Sequence, residues 1–169
     1  IFHFSSNRFI KGDYLMTTFM RLFVSAMTAL CLTTGLAQAQ DKAATAQELV
    51  DKAIALYDQV GQDQSFSAFN DKDGEYVFDE YYVIVADGEK GTFLTHAINP
   101  KLINNPKIWD LQDVNSNFII RDMVETGKTN PDGGWSNYTW THPETKKLAE
   151  KKTWVKPHDG KIFMVGYYE

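Results

Sequence analysis

The sequence has few of the residues on which disulfide, metal and nucleic-acid chemistry depend. Its one cysteine, Cys31, leaves no partner for a disulfide within the chain. The four histidines lack metal-ligand spacing, so we expect no zinc site. Acidic residues outnumber basic ones by 22 to 17 without a basic stripe, which argues against nucleic-acid binding. No cofactor is predicted.

The first 39 residues carry the three parts of a secretory signal peptide. Arg21 supplies a positive charge, residues 22–36 form a mostly apolar run, and Ala37-Gln38-Ala39 is a small-residue cleavage motif. We expect cleavage before Gln40 and a periplasmic or secreted mature chain. The apolar run is shorter than the roughly 20 residues that cross a bilayer, so an uncleaved membrane anchor is the less favoured alternative.

Three further features concern this leader and the domain that follows it. Residues 1–15 precede the candidate initiators Met16 and Met20 and show no periodicity that would join them to a folded domain. Cys31 follows a leucine where a lipoprotein would need a small residue, so lipidation is not expected. The predicted single domain, residues 40–169, keeps 14 basic and 21 acidic residues and a formal charge of −7.

Hydrophobic periodicity predicts two helices and a long connecting loop. Apolar residues recur at three- and four-residue spacing over residues 45–60, and Gly61 is expected to end this helix. A short helical turn is predicted at 65–69 and a second helix at 117–127. Residues 98–115 contain two prolines and little periodicity, which predicts a loop that crosses the sheet.

Five strands are expected between turns rich in glycine, asparagine and proline. Their predicted ranges are 76–86, 92–97, 135–140, 151–156 and 161–168. The last two flank Pro157-His-Asp-Gly160 and should form a hairpin. Strands that pair with their neighbours, with helices segregated from them, indicate an α+β domain with an antiparallel sheet.

Aromatic, proline and lysine residues recur in a distinctive pattern near the end of the chain. The pattern comprises Gly134-Trp-Ser-Asn-Tyr-Thr-Trp-Thr-His-Pro-Glu-Thr145, Lys151-Lys-Thr-Trp-Val155 and Met164-Val-Gly-Tyr-Tyr168. Weaker matches lie upstream in Tyr82-Val-Ile-Val and His96-Ala-Ile-Asn-Pro100. Together these segments resemble the single Cache domain, type 2, of extracytoplasmic bacterial sensors. The resemblance implies a PAS-like fold: a long N-terminal helix on a five-stranded antiparallel sheet, with a pocket between the sheet and the crossing loop.

The resemblance also implies a domain that binds small organic acids or other metabolites. The ligand-binding residues expected on this basis are Tyr82, His96, Trp109, Tyr138, Trp140, Lys151 and Trp154. Two positions depart from the family pattern, because Asn104-Asn105 replaces a usual glycine and Trp154 a usual tyrosine. The second change would remove a hydroxyl donor from the pocket wall and favour a flatter or more apolar ligand.

Several of these residues also have ordinary structural interpretations. Tyr138 and Trp140 share one strand face, either as a ligand platform or as core residues whose polar tips bond the backbone. Lys151 is either a point charge for a ligand carboxylate or a solvated lysine beside Lys152. For His96, a packed ring with one satisfied nitrogen is favoured over a ligand contact.

Motifs for metals and catalysis are incomplete or absent. Asp113-x-Asn115-x-Asn117 resembles the opening of a calcium loop, but Phe118 stands where glycine is required and Val124 where glutamate is required. An Asx-rich loop before a helix explains the same residues. The sequence shows no nucleophile with a base, carboxylate pair or phosphate loop, so we predict that the chain is not an enzyme.

Two functions remain open at this point. The first is a periplasmic ligand-sensing domain without its own output module, which binds a small organic acid and presents it to a membrane sensor. The alternative is a structural or interaction module for another envelope protein, with its pocket filled by its own aromatics. A pocket on the order of a few hundred Å³ lined by Tyr138, Trp140 and Lys151 would favour the first function, and a collapsed sheet face the second.

Overall fold

The computed structural model describes the backbone of residues 12–169 and the side chains of residues 41–169. The chain divides into two compact units, residues 1–40 and 41–169. The predicted signal peptide and its cleavage site lie outside the residues whose side chains are described, so both stay predictions. Within the described residues, no helix is long and apolar enough to cross a membrane.

The strands follow one another in two groups of three, one after each α-helix of the described residues. In chain order they are α1 (Gly12–Asn70), β1 (Val77–Phe78), β2 (Tyr81–Asp87), β3 (Phe93–His96), 3-10 helices Pro100–Leu102 and Pro106–Asp110, α2 (Ile119–Thr129), β4 (Gly134–Thr141), β5 (Leu148–His158) and β6 (Lys161–Tyr168). The predicted crossing loop therefore contains two 3-10 helices. The α+β class is confirmed.

Helix α1 is interrupted at Gly61, the residue at which the first helix was expected to end. Gly61 lies inside the helix as a kink, with φ 78° and ψ 178°, a conformation that glycine adopts without steric cost. The Ser65 hydroxyl donates to the Gly61 carbonyl at 2.8 Å and so satisfies an acceptor near the kink. The predicted end at Gly61 is confirmed, because two helical segments meet there at a kink, and the second segment contains the predicted turn at 65–69.

The sheet has six antiparallel strands, one more than expected. Its order is β1-β2-β6-β5-β4, and β3 pairs with β2. The additional strand arises because the predicted strand 76–86 is interrupted at Asp79, whose φ of 48° ends β1. The predicted hairpin of the last two strands is confirmed as the β5–β6 ladder, in which Lys151 lies opposite Tyr168.

Side chains that alternate along the strands give the sheet two different faces. In β2, Tyr81, Val83 and Val85 belong to the cluster packed by α1. Tyr82 and Ile84 belong to the cluster on the other face, which α2 and the second 3-10 helix cover. The period of two thus places one set of residues against α1 and the other against α2 and the second 3-10 helix. We call α2, this 3-10 helix and the loop between them the cover.

Candidate ligand-binding site

A cavity lies between the second face of the sheet and its cover. Its volume is about 50 Å³, and it is partly open to solvent. Its polar lining consists of Tyr82, His96, Tyr138, Trp140 and Lys151. Its apolar lining consists of Ile84, Phe93, Leu102, Leu111, Ile119, Ile120 and Met123. Five of the seven residues predicted to bind ligand therefore meet around one space.

The Asx-rich loop fastens the cover to the edge of the sheet. One carboxylate oxygen of Asp113 accepts from the backbone N–H groups of Asn115 and Asn117 at 2.8 and 2.9 Å. The other accepts from the backbone N–H of Thr139 in β4 at 3.1 Å. Burial alone would raise the pKa of Asp113, but the Asn117 and Thr139 donors outweigh it, so the pKa lies below its usual value. Among the described residues, no group of acidic, histidine or cysteine side chains could hold a metal ion.

Arg121 in α2 makes a second connection within the cover. Its Nε donates to the Trp109 carbonyl oxygen at 3.2 Å, and its guanidinium pairs with the Asp110 carboxylate. The same group lies 3.9 Å from the centre of the Phe118 ring. Trp109 itself does not line the cavity: its ring packs against Gly91, where a Cβ would come within 2.6 Å of the indole. Trp109 therefore stabilises the packing of the cover and does not line the cavity.

Lys151 places a cation at the cavity while it is only 2% exposed. Its Nζ donates to the Tyr82 hydroxyl at 3.0 Å and lies 4.8 Å from the ring centres of both Tyr82 and Tyr168. In the part of the chain that the structure describes, no carboxylate forms a salt bridge with Lys151. Buried lysines are rare unless they are paired. The interpretation of Lys151 as a solvated strand lysine is therefore wrong.

His96 contributes a neutral ring to the same cavity. The Asn99 backbone N–H donates to its Nδ1 at 3.1 Å, so the neutral ring carries its proton on Nε2. Burial lowers the pKa of His96 to about 4, and the charge of Lys151 acts in the same direction. His96 thus has the one satisfied nitrogen that was predicted for a packed ring, and it also lines the cavity.

The two tyrosines bring hydroxyl groups to the site, and both remain neutral. Burial raises the pKa of Tyr82 to about 12 and also raises that of Tyr138. The Tyr138 hydroxyl accepts from the Thr153 hydroxyl at 3.3 Å, which leaves its own proton available. Tyr138 lies directly opposite Lys151 in the β4–β5 ladder. Tyr138 and Trp140 both face the cavity, as their spacing predicts.

Trp154 is the predicted site residue that lies farthest from its expected role. It packs with the cluster on the α1 face, where its ring centre is 5.0 Å from that of Trp135. Lys151 and Trp154 are three residues apart on one strand, so their side chains point to opposite faces. The structure does not place Trp154 in the cavity wall, and its replacement of a tyrosine removes no donor there.

Sequence reasoning also missed a residue that touches the site. Tyr168 is 4% exposed, and its ring stands beside Lys151 across the β5–β6 ladder. It forms part of the motif that ends the chain, but no local pattern shows which neighbour its ring will contact. Only the strand register, which is fixed by the Pro157–Gly160 turn, could have indicated this pair.

A kinked helix, an antiparallel sheet and a covered cavity define an α+β domain of the PAS-like class. Residues 24–166 match the family described as Single Cache domain 2, and the chain belongs to that family. No curated protein matches the chain.

Three solved structures share this fold. One comes from work on carboxylic acid recognition by a Cache chemosensory domain; it is 21% identical, with a TM-score of 0.63 over 76% of this chain and 94% of that one. A methyl-accepting chemotaxis protein from Vibrio parahaemolyticus is 20% identical, with a TM-score of 0.62 over 78% and 88%. The periplasmic sensor domain of a chemotaxis protein is 19% identical, with a TM-score of 0.57 over 77% and 96%. At these identities the similarity shows the fold.

Proposed function

We propose that this domain senses a short monocarboxylate, which binds in the cavity against Lys151. The observation that carries the proposal is the burial of the Lys151 ammonium without a carboxylate partner among the described residues. Removing a cation from water is costly unless an anion or several acceptors compensate. A ligand carboxylate would supply both the charge and the acceptors.

The charge of the lining favours one carboxylate rather than two. Lys151 is the cation among the lining residues, while His96 and the two tyrosines are neutral near pH 7. Each neutral group can donate one hydrogen bond to an oxygen of the ligand. Apart from the Trp140 indole N–H, the remaining lining is apolar and uncharged, so a second carboxylate would be buried without a counter-charge. An aliphatic tail fits that part of the cavity.

The size of the cavity favours a short ligand. One water molecule needs roughly 10–15 Å³ of such space, so about 50 Å³ admits the equivalent of a few waters. Acetate, propionate and butyrate are acids of this size. A longer acid would have to displace Leu111 or Met123, which belong to the apolar lining. The carboxylic acid recognition described for one structural relative supports the same ligand class.

We propose that this domain acts outside the cytoplasm and presents its ligand to a membrane sensor. The predicted signal peptide supports export, and two structural relatives are a periplasmic sensor domain and a methyl-accepting chemotaxis protein. The proposed activity is binding without chemical conversion, because the neutral His96 and tyrosines surround Lys151 without a nucleophile–base pair in reach of a substrate.

One observation favours the alternative of an interaction module with a filled pocket. The cavity volume of about 50 Å³ is small beside the roughly 300–1,000 Å³ of common ligand pockets. If the tyrosines and the cover already fill the site, small acids will not bind and the surface will carry the function. A measurement of small-acid binding is therefore enough to distinguish this alternative from the sensing function.

A thermal-shift screen of the full chain tests the proposal. Propionate is compared with propionamide, which has the same shape without the charge, with propylamine, which has the opposite charge, and with succinate, which has two carboxylates. At a hundred times its dissociation constant, a ligand adds about 2.7 kcal/mol of stability. We expect stabilisation by propionate alone among these four. A flat screen with acetate, propionate and butyrate would contradict the proposal and favour the interaction module.

A further inference from the structure

A small cluster of contacts joins α1 to one end of the β2–β6 ladder, where β2 begins and β6 ends. Lys42 Nζ lies 2.8 Å from one carboxylate oxygen of Glu80 and donates to the Tyr168 carbonyl oxygen at 2.7 Å. The backbone N–H of Tyr168 donates to the other Glu80 oxygen at 2.7 Å. We call Lys42, Glu80 and Tyr168 the terminal clasp, because they connect α1, the residue before β2 and the last residue of β6.

Tyr168 belongs to the clasp and also contacts Lys151, which lines the cavity. Its backbone N–H and carbonyl make the two clasp bonds described above, while its buried ring lies 4.8 Å from Lys151 Nζ. The Tyr168 hydroxyl donates to the Thr141 carbonyl oxygen at 3.2 Å and so holds the ring toward β4. A change at Lys151 thus reaches the clasp through one residue.

Glu80 provides a second short connection between the same two places. It lies two residues before Tyr82, whose hydroxyl accepts the hydrogen bond from Lys151. The Glu80 side chain is only 16% exposed, so its two bonds in the clasp are largely shielded from water. Two members of the clasp are therefore close to the Lys151 ammonium: Tyr168 contacts it directly, and Glu80 is two residues from Tyr82, which accepts its hydrogen bond.

We propose that the terminal clasp is the contact through which the cavity reports its occupancy to the ends of the domain. This inference rests on the proposed function, because it needs an anion at Lys151. The bare ammonium attracts the faces of the Tyr82 and Tyr168 rings. A bound carboxylate neutralises that attraction and competes with the Tyr82 hydroxyl for the ammonium. Binding then favours a state in which Tyr168 is held less firmly and the clasp is weaker.

Thermodynamic linkage makes this proposal measurable from the opposite side. If the anion weakens the clasp, then a weakened clasp must raise the affinity for the anion, by up to the same factor. The Glu80→Gln variant removes the charge that pairs with Lys42 and retains an oxygen for the Tyr168 N–H. Asp51→Asn is the matched control, since it breaks a 2.7 Å ion pair between α1 and Lys156 of β5 that does not touch the cavity.

The experiment is a calorimetric titration of the full-length wild type and both variants with propionate. We expect Glu80→Gln to lower the dissociation constant about fivefold, at the small end of common coupling factors, and Asp51→Asn to stay within about twofold of wild type. Equal affinities, or weaker binding by Glu80→Gln, would overturn the role of the clasp and leave the proposed function intact. A wild type that shows no binding would overturn both.

Amide hydrogen exchange of the wild type provides a second measurement that does not depend on how the variant folds. We expect saturating propionate to speed exchange at the Tyr168 N–H, which is bonded to Glu80. Exchange at the paired residues Val83 and Val165 of the core should slow, because the ligand stabilises the domain as a whole. Slower exchange at Tyr168 in parallel with the core would overturn the inference.

Discussion

The two faces of the sheet differ in polarity: one is a closed apolar core, and the other contains a polar cavity. The face against α1 is apolar and closed: Phe69, Val83, Phe163 and Val165 are all completely buried. The face beneath the cover holds the cavity and the buried polar groups of His96 and Lys151. The comparison teaches that one sheet can concentrate stability on one side and accept the cost of a polar site on the other, since strand side chains alternate between them.

The largest effect is expected from a cavity cut into the α1 face. Phe163 is completely buried, and its ring centre lies 5.5 Å from Tyr57 and 6.4 Å from Phe69, both in α1. Phe163→Ala should lower the free energy of unfolding by about 3–5 kcal/mol, measured by urea denaturation. The affinity of the folded protein for propionate should not change, because the residue does not line the cavity. A loss below about 1 kcal/mol would contradict the division between the faces.

The next largest effect is a dependence of the free energy of unfolding on pH, which arises from His96 on the cavity face. Burial holds the pKa of His96 at about 4, below the value of 6.5 expected in the unfolded chain. The unfolded state therefore binds the proton more readily, so this contribution is complete above pH 6.5 and is lost as the pH falls toward 4. The loss should reach about 3 kcal/mol at pH 4.

Comparison with a variant isolates the contribution of His96 from that of the carboxylates. Urea denaturation of wild type and His96→Gln between pH 7 and pH 4 should show a stability difference that shrinks as the pH falls. His158→Gln is the control, because that histidine pairs with Asp58 at the surface on the α1 side. Parallel curves for wild type and His96→Gln would show that the ring is not held neutral by burial.

A smaller effect is expected from the hydrogen bond that supports Tyr138. Thr153 is 2% exposed and donates its hydroxyl to the Tyr138 hydroxyl at 3.3 Å. Thr153→Val keeps the shape but removes the donor, and should cost about 1 kcal/mol in urea denaturation. Thr153→Ser, which keeps the hydroxyl, separates this bond from the packing of the methyl group. An equal loss in both variants would assign the effect to packing.

The sequence was sufficient for most of the fold because the decisive signals are local. Alternation in β2 and the turn at Pro157–Gly160 predict strands and a hairpin without knowledge of the rest of the chain. The interruption at Asp79 was not visible, since a residue with positive φ inside an aromatic segment has no strong signature outside glycine. The break at Gly61 is also a local signal, because glycine adopts the backbone angles of this kink at no steric cost.

The site was less predictable because it depends on contacts between distant segments. Because side chains alternate along a strand, Tyr138 and Trp140 must lie on one face. The same rule places Lys151 and Trp154, which are three residues apart, on opposite faces. The burial of Lys151 without a carboxylate partner among the described residues was not predictable, because it follows from the cover that α2 and the crossing loop build on this face of the sheet. The position of Tyr168 required the register of two strands.

The most direct test of the central claim is calorimetric titration with propionate of the full chain, Lys151→Met and Lys152→Met. Lys152, the next residue along the strand, pairs instead with Glu169 at 2.5 Å and has a side chain that is 36% exposed. We predict that wild type and Lys152→Met bind propionate, and that Lys151→Met loses binding while its free energy of unfolding stays within about 1 kcal/mol of wild type or rises. Propionate binding by Lys151→Met with wild-type affinity would contradict the assignment of Lys151 as the ligand's counter-ion.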